Sequence, residues 1–566
     1  MIKCMKSFEA VLLSFSLAAI SAGCSSPEPA DQSAVEIPAT AITESTVEPS
    51  VQKLISVGVP GKITSLDPGM SFDKNNDYLI SHLYSAMFQI DTEGKVVPML
   101  AKDYDVSDDG LVYTFHLKDG IKWSDDTPIT AYDFEYTYLR NLSYGKNNAF
   151  VVHDLIEYIA GAEEYCDKAY DALDFDCTTE DHSKVGIKAV DDKTFDLTLN
   201  KPFQYLTLKM CGGPWIPLPQ STPQHNSMWS LEAGNVSSGP YILTELDPEK
   251  SAHAVKNENY FDNNSVTMDE INFAVLSDQS TQAFAFENGM IDIAVNVSKE
   301  SLEHYLETEN LFTYIVPESL FVVFNQSVNG PEWAKDVRVR KALGKAINTE
   351  EIIVALGGET FYQKLEGYVP VGFPGISKDF RIEGNEMRGH YELVYDPQEA
   401  VKLLAEAGYT ENNPLHIEYL YPNSKDRPII AKTLQKQWTQ IGVDVDIISV
   451  ETTQYYGQID VDQFETGHYG LTIMDPIGGL DDLRTSPVAP KVSDELYGQS
   501  ILNAKNESDY ETAIKLCHEA EDYLINETVF LIPLIQTKKQ ILVQTGLSGL
   551  EVHGTRLYLA HCIYLK

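Results

Sequence analysis

Basic residues are scarce in this chain. Its 566 residues include 42 lysines and arginines against 84 aspartates and glutamates, which gives a formal net charge of −42 at pH 7. A field of that sign repels phosphate backbones and anionic lipid headgroups, so nucleic-acid binding is not expected. The hydrophobic fraction of 43% indicates a folded globular protein. At this length we expect two or three domains rather than one core.

Motifs of catalysis and metal binding are also missing. The sequence has no G-x-S-x-G elbow, no P-loop, no H-E-x-x-H and no C-x-x-C pair. The trio Cys517-His518-Glu519 lies in a predicted helix, Tyr510–Ile525, where adjacent side chains point in different directions. We interpret it as surface with one buried cysteine. We therefore expect no enzyme, no cofactor and no metal site; a hydrolase with unfamiliar motifs is the alternative.

The amino terminus has the layout of an export signal. Lys3 and Lys6 precede a mostly apolar run, Val11–Ile20, and small residues follow it. Ten residues of helix reach only about 15 Å, roughly half a bilayer core, so the run is not a membrane span. Cys24 directly after Ala-Gly resembles a bacterial lipobox, with Ser21 where leucine is usual. That resemblance implies a lipoprotein signal peptide over 1–23 and lipid attachment at Cys24. The alternative is an ordinary secretory signal with Cys24 unmodified.

A tether is predicted over residues 24–53. Residues 25–50 contain four prolines and five acids but no lysine, arginine or aromatic residue. Such a segment cannot bury a core, and random-coil scaling gives it a span on the order of 25–30 Å. Further along, Cys166 and Cys177 flank a polar stretch. They could close a small disulfide loop or remain thiols.

Strand and helix patterns alternate through the rest of the chain. Val112–Leu117 and Phe195–Leu199 have the β-branched and aromatic alternation of strands. Lys335–Leu356 and Pro397–Ala407 have apolar residues at helical spacing. Layers of mixed α and β structure are therefore predicted.

Eight motifs follow one another between about residues 63 and 443. They are Ser65-Leu-Asp-Pro68, the block 100–134, Ser238-Gly-Pro-Tyr241, Asn257-Glu-Asn-Tyr-Phe261, and the segments 286–292, 336–348, 395–409 and 438–443. In this order they resemble the extracytoplasmic solute-binding proteins of family 5, which supply peptides to ABC importers. The central block departs from the family at Asp126, where glycine is usual, but aspartate tolerates such a turn position.

The resemblance implies an α/β, two-lobed periplasmic-binding-protein-like fold with an extra inserted subdomain. Lobe I is expected to comprise 54–85, 204–315 and 536–566, with the insertion at 86–203, and lobe II is expected at 316–535. The implied function is to capture oligopeptides between two closing lobes and deliver them to the ABC permease. Extended peptides can then be held by main-chain pairing. A lipid-anchored monomer facing the extracellular or periplasmic side is expected.

The resemblance also suggests ligand contacts. The family has an aspartate in a G-W-x-x-D-[YW] pattern that meets the peptide ammonium, and Asp475 is the best match, although it is one residue late and the tryptophan is missing. Asp481 and Asp482 are the next candidates. Alternatively Asp475 caps a turn, or the ligand has no free amine.

Two segments correspond to the crossover regions that line the family's cleft. We expect ligand contacts from five of their residues: Cys211, Gly212, Gly213, Phe321 and Asn325. Paired glycines permit close backbone approach, or they serve hinge geometry alone. Other ligands that the fold permits are a nickel chelate, a short sugar or a signalling peptide. A surface lipoprotein with enzyme-like or chaperone-like activity is the alternative of a different class.

Overall fold

The computed structural model describes residues 53–564 apart from 72, 145–148, 173–174, 225–227, 389–392, 425, 486–489 and 555. The predicted signal peptide, Cys24 and nearly all of the predicted tether lie outside the described residues. Among the residues that are described, no helix combines the length and the apolar character needed to cross a bilayer.

The strands follow one another in chain order from the start of the described region. They are β1 (Leu54–Val59), β2 (Phe88–Ile90), β3 (Val96–Pro98), β4 (Ala101–Val106), β5 (Val112–Leu117), β6 (Ile187–Ala189), β7 (Thr194–Thr198), β8 (Tyr241–Asp247), β9 (Ser251–Lys256), β10 (Glu270–Val275), β11 (Ile293–Ala294), β12 (Leu311–Phe324), β13 (Tyr362–Lys364), β14 (His416–Pro422), β15 (Asp444–Val450), β16 (Thr466–Thr472), β17 (Leu531–Val543), β18 (Leu547–Ser548), β19 (Glu551–His553), β20 (Arg556–Tyr558) and β21 (Ile563–Tyr564).

The helices are interspersed with these strands. They are α1 (Lys74–Leu83), α2 (Ala131–Ser143), α3 (Ala149–Tyr158), α4 (Ala162–Asp171), α5 (Leu206–Lys209), α6 (Gln279–Glu287), α7 (Lys299–Leu302), α8 (Glu332–Lys335), α9 (Val337–Lys345), α10 (Thr349–Ala355), α11 (Phe380–Arg388), α12 (Pro397–Glu406), α13 (Arg427–Gln440), α14 (Thr452–Asp460), α15 (Pro476–Thr485), α16 (Glu495–Asn506) and α17 (Tyr510–Asp522).

One large sheet passes through both lobes. Its strand order is β15-β14-β16-β12-β17-β11-β1-β10-β9-β8, with β13 paired to β17. The long strands β12 and β17 belong to both halves, because β12 pairs with β16 over 318–324 and with β17 over 311–315 and 319–323. The β12–β17 register shifts between Ile315 and Ser319, as at a bulge. We call the half with β1 and β8–β11 the first lobe and the half with β14–β16 the second lobe.

A second sheet is separate from the large one. It has the order β4-β5-β7-β6 and lies inside the stretch predicted as an insertion, 86–203. Helix α2 packs against it, with Phe134 and Tyr138 fully buried beside Phe195 of β7. The domain boundaries given above stay a prediction.

Several local predictions are confirmed. Val112–Leu117 is strand β5, and Pro397 begins helix α12 with Asp396 as its amino-terminal cap. Asp126 has a φ of 72°, which is the left-handed conformation. Glycine adopts this conformation without strain, and aspartate tolerates it.

The tertiary structure decides two questions about cysteine-containing segments: whether Cys166 and Cys177 form a disulfide, and whether the trio Cys517–Glu519 lies at the surface. No disulfide joins Cys166 and Cys177 in the described chain: both are buried thiols, and that of Cys166 donates to the Leu142 carbonyl at 3.1 Å. The surface interpretation of His518 is wrong. His518 is buried and stacks on Phe380 of α11 with ring centroids 4.0 Å apart, because α17 is covered on this side as well.

A buried ion pair links the first lobe to the inserted sheet. Asp67, from the Ser65–Pro68 motif, lies 2.5 Å from Arg140 of α2, and both side chains are at most 1% exposed. The indole of Trp229 also donates to Asp67 at 3.2 Å. Loss of one partner would therefore leave the other charge buried and unpaired.

We predict that Asp67→Asn lowers the free energy of unfolding by about 3–5 kcal/mol, since the Arg140 charge then stays buried without its carboxylate. The matched control is Glu93→Gln, which breaks an ion pair whose two side chains are each about 70% exposed. That change should cost less than about 1 kcal/mol. Urea unfolding measures both, and equal losses would contradict the prediction.

Candidate ligand-binding site

The strand order of the second lobe predicts the position of a ligand crevice. β14 pairs in parallel with β15 on one edge and with β16 on the other. Helix α13 packs on one face of this sheet through Trp438, and α14 packs on the other through Tyr455. In open α/β sheets, ligands bind outside the carboxyl ends of the strands where the order reverses. The ends of β14 and β16 therefore mark the candidate site.

This crevice lies where the two lobes are joined. Thr472, at the end of β16, is opposite Glu318 of β12. The next residue, Ile473, donates its backbone N–H to the Pro317 carbonyl at 2.8 Å. Gln536 of β17 donates to the Val316 carbonyl at 3.0 Å. The irregular part of β12 thus forms one wall of the site.

Asp475 lies at this edge but already has partners within the chain. It precedes α15, and its Oδ1 accepts the Gly478 N–H at 2.6 Å, which is the turn-capping role. Its Oδ2 lies 3.0 Å from Nζ of Lys209 in α5, and the Asp475 side chain is only 6% exposed. Recognition of a ligand amine by Asp475 stays a prediction.

Lys209 is shared between two carboxylates. Its Nζ also lies 3.1 Å from Asp154 of α3. Burial disfavours the charge of Lys209, but Asp475 and Asp154 outweigh that effect and raise the pKa of the ammonium. Burial likewise opposes ionisation of Asp154, but the hydrogen bond from His153 and the charge of Lys209 lower the pKa of Asp154 to about 2. Lys209 and Asp154 are therefore both charged at neutral pH.

A second lysine bridges the same elements. Lys505 of α16 lies 2.6 Å from Asp481 and 3.0 Å from Glu157 of α3. Asp482 is different: it is exposed, and no described cation lies within ion-pair distance of it. The pKa of Asp482 is nevertheless raised to about 6. The surrounding protein partly desolvates its carboxylate, and the charges of Asp475 and Asp481 repel it. Of the three aspartates, Asp482 alone is open to solvent.

The glycine pair is only partly open. A Cβ on Gly212 would lie 2.1 Å from the Arg556 guanidinium, which also donates to the Cys211 carbonyl at 2.7 Å. The close approach at Gly212 is therefore made by the chain's own C-terminal region. Burial raises the pKa of the Cys211 thiol to about 12. Gly213 has a φ of 59° and has no described atom within 4 Å of its Cβ position, so it faces open space. Ligand contact by these three residues stays a prediction.

Phe321 and Asn325 are held inside the second lobe. Phe321 is fully buried between Tyr368 and Tyr469, with ring centroids 5.3 and 6.2 Å away. The Asn325 amide donates to the Asp462 and Phe464 carbonyls. Asn325 follows β12 at the end away from Glu318, on the order of 20 Å from the crevice at about 3.3 Å per strand residue. Their contacts resemble those of core and loop residues, and the ligand assignment stays a prediction.

Arg427 is a candidate that the sequence analysis missed. It begins α13 just after the end of β14, and its Nη1 is buried with no hydrogen-bond partner in the described structure. A Cβ on Gly470 of β16 would lie 2.8 Å from its Nη2, so the guanidinium lies over the switch point. The neighbouring Asp426 is engaged by Lys299 at 2.7 Å. The available signal was the segment Asp426-Arg-Pro428, a helix start, but the sequence does not show the strand order around it.

Known proteins match this architecture. The sequence pattern of bacterial extracellular solute-binding proteins, family 5 (middle region), matches residues 95–487. The dipeptide-binding protein DppE of Bacillus subtilis is 26% identical over 518 residues, covering 89% of this chain and 90% of the relative. The oligopeptide-binding protein OppA of the same organism is 26% identical over 449 residues, covering 76% and 77%.

A solved structure has the same fold. The periplasmic murein tripeptide binding protein MppA, in its unliganded open form, matches with a TM-score of 0.77 and 22% identity, covering 92% of this chain and 99% of that one. The prediction of a two-lobed α/β binding-protein fold is therefore confirmed. Because the family pattern spans well over half of the sequence, the chain belongs to the bacterial extracellular solute-binding proteins of family 5.

Proposed function

We propose that this protein is the substrate-binding component of an ABC importer, which captures oligopeptides between its lobes and passes them to the membrane permease. Family membership supports this function, and so do the relatives DppE and OppA, which are a dipeptide-binding and an oligopeptide-binding protein. The observation that carries it is the switch in strand order at the carboxyl ends of β14 and β16, beside the irregular part of β12.

Affinity would come mainly from the peptide backbone. An extended peptide can pair its main chain with strand edges, and this pairing does not depend on side-chain identity. Closure of the lobes would remove water and strengthen each charge pair with the peptide ends. The protein would bind its ligand stoichiometrically and release it unchanged, as the relatives are binding proteins.

We expect unmodified peptides of three to six residues, with unrelated sequences, to bind within about tenfold of one another because the backbone supplies most contacts. Isothermal titration calorimetry on the purified protein measures this, with nickel chelates and oligosaccharides titrated in parallel. Binding of a chelate or a sugar but of no peptide would contradict the proposal. Peptide fragments after incubation would instead indicate an enzyme.

Arg427 is the residue that we propose for the peptide's carboxylate. A guanidinium forms bidentate hydrogen bonds with a carboxylate, and Nη1 of Arg427 is buried without a partner among the described residues. Burying such a group is costly unless a partner is found. A ligand anion at the carboxyl ends of β14 and β16 would satisfy it.

Arg427→Met should therefore weaken binding of a free-acid peptide by more than tenfold, since a truncated buried charge pair typically costs about 2–5 kcal/mol. Amidation of the peptide's carboxyl end should weaken binding to the parent similarly and to the variant hardly at all. The matched control is Arg338→Met, which changes a half-exposed arginine of α9 and should leave affinity unchanged. Independent, additive losses would show that Arg427 does not meet the carboxylate.

We also propose that the protein is a monomer anchored by lipid at Cys24 and facing the outside of the membrane. The support is the export-signal layout with Ala22-Gly23-Cys24 and the long polar tether. Two or three acyl chains hold a protein on a bilayer where one barely does, at about 0.8 kcal/mol per buried CH₂.

Cys24→Ala should release the protein from the membrane fraction, because the acyl attachment site is lost. The control is Cys4→Ala, which changes a cysteine expected to leave with the signal peptide and should not alter fractionation. Immunoblots of membrane and soluble fractions measure both. Full membrane retention of Cys24→Ala would show that the anchor is not there.

A further inference from the structure

The ammonium of Lys209 pairs with Asp475, the carboxylate that best matches the family's amine-binding position. Lys209 Nζ lies 3.0 Å from Asp475 and 3.1 Å from Asp154, and only 15% of the Lys209 side chain is exposed. The second oxygen of Asp475 is held by the Gly478 N–H. Both oxygens of Asp475 therefore have donors without any ligand.

The neighbouring positions do not replace this carboxylate. In the family's pattern the amine-binding aspartate stands four residues after the glycine, and here that position, counted from Gly470, is Met474. Met474 is 65% exposed and carries no charge. Asp481 is engaged by Lys505 at 2.6 Å and by Arg484 at 2.7 Å. The exposed carboxylate left over is Asp482.

We infer that Lys209 takes the place of a peptide's amino-terminal ammonium at Asp475, so that this cleft accepts peptides with a blocked amino terminus as readily as free ones. The inference rests on the proposed function, because it names the class of peptide that the same cleft takes. The ligand class is peptides whose amino end is acylated or otherwise uncharged, together with free peptides held by other contacts.

A ligand ammonium has little to gain by displacing Lys209. The lysine is tethered, so its pairing costs no translational freedom, whereas a ligand loses that freedom on binding. Displacement would also remove the Lys209 cation from the buried Asp475 and the partly buried Asp154, and the Lys209 ammonium would then need new partners. Pairing at Asp482 would be solvent-exposed, and exposed pairs contribute little, less than about fivefold in affinity. Recognition of the amino end should therefore be weak.

The experiment compares one peptide with a free and an acetylated amino terminus by calorimetry on the full-length protein. We expect the two dissociation constants of the parent to differ by less than about fivefold. Lys209→Met frees Asp475 and should make the free peptide bind more than tenfold tighter than the acetylated one. The matched control is Lys505→Met, which removes the other bridging lysine and should create no such preference.

Asp475→Asn covers the case in which Lys209→Met does not fold. Lys209 keeps Asp154 in this variant, and we expect free and acetylated peptides to remain within fivefold of each other and of the parent. A parent that prefers the free peptide by more than tenfold would overturn the inference, and loss of that preference in Asp475→Asn would show that Asp475 meets the ligand amine. A folded Lys209→Met variant that gains no preference would overturn the inference too. If the parent bound neither peptide, the proposed function itself would fail and this inference with it.

Discussion

The pairing of β12 with β17 is the constraint on which the rest of this structure depends. The two strands run through both halves of the large sheet, and at about 3.3 Å per residue the 14 residues of β12 span on the order of 45 Å. Because their backbone groups are hydrogen-bonded to both lobes, the lobes have a fixed junction. The register shift in β12 places the irregular backbone at that junction, where the crevice lies.

Charge arrangement across the cleft follows from the acidity of the chain. With 84 acidic residues against 42 lysines and arginines, carboxylates outnumber the cations that can pair with them. Lys209 and Lys505 are each shared between a carboxylate of α3 and a carboxylate in or just before α15. A shared lysine offsets the repulsion between those carboxylates. Cations are scarce in this chain, yet Arg427 pairs with no described carboxylate and its Nη1 is buried without a partner. Arg427 is therefore a candidate for binding a ligand anion.

Local features were predictable because local forces produce them. Strand β5 alternates β-branched and aromatic residues, α12 starts with an Asp-Pro cap, and Asp126 takes the turn conformation that its glycine counterpart prefers. The interpretation of His518 failed because it treated one helix alone: whether a helix face is exposed depends on what packs against it, here Phe380. Phe321 and Asn325 were predicted to contact ligand because their segment corresponds to a crossover region of the family. Where their side chains lie depends instead on the direction of the strand pleat and on the distance along β12.

The sequence by itself determined the family, through motifs that are contiguous and therefore readable without a structure, and it determined the mixed α/β layering through periodicity. Only the tertiary structure decided which side chains meet at the candidate site. Asp475 and Lys209 lie far apart in the chain, and Arg427 gains its place only because β14 lies between β15 and β16. A carboxylate can bind a ligand only if the fold does not already pair it with a cation. Such a long-range contact cannot be read from the order of the residues.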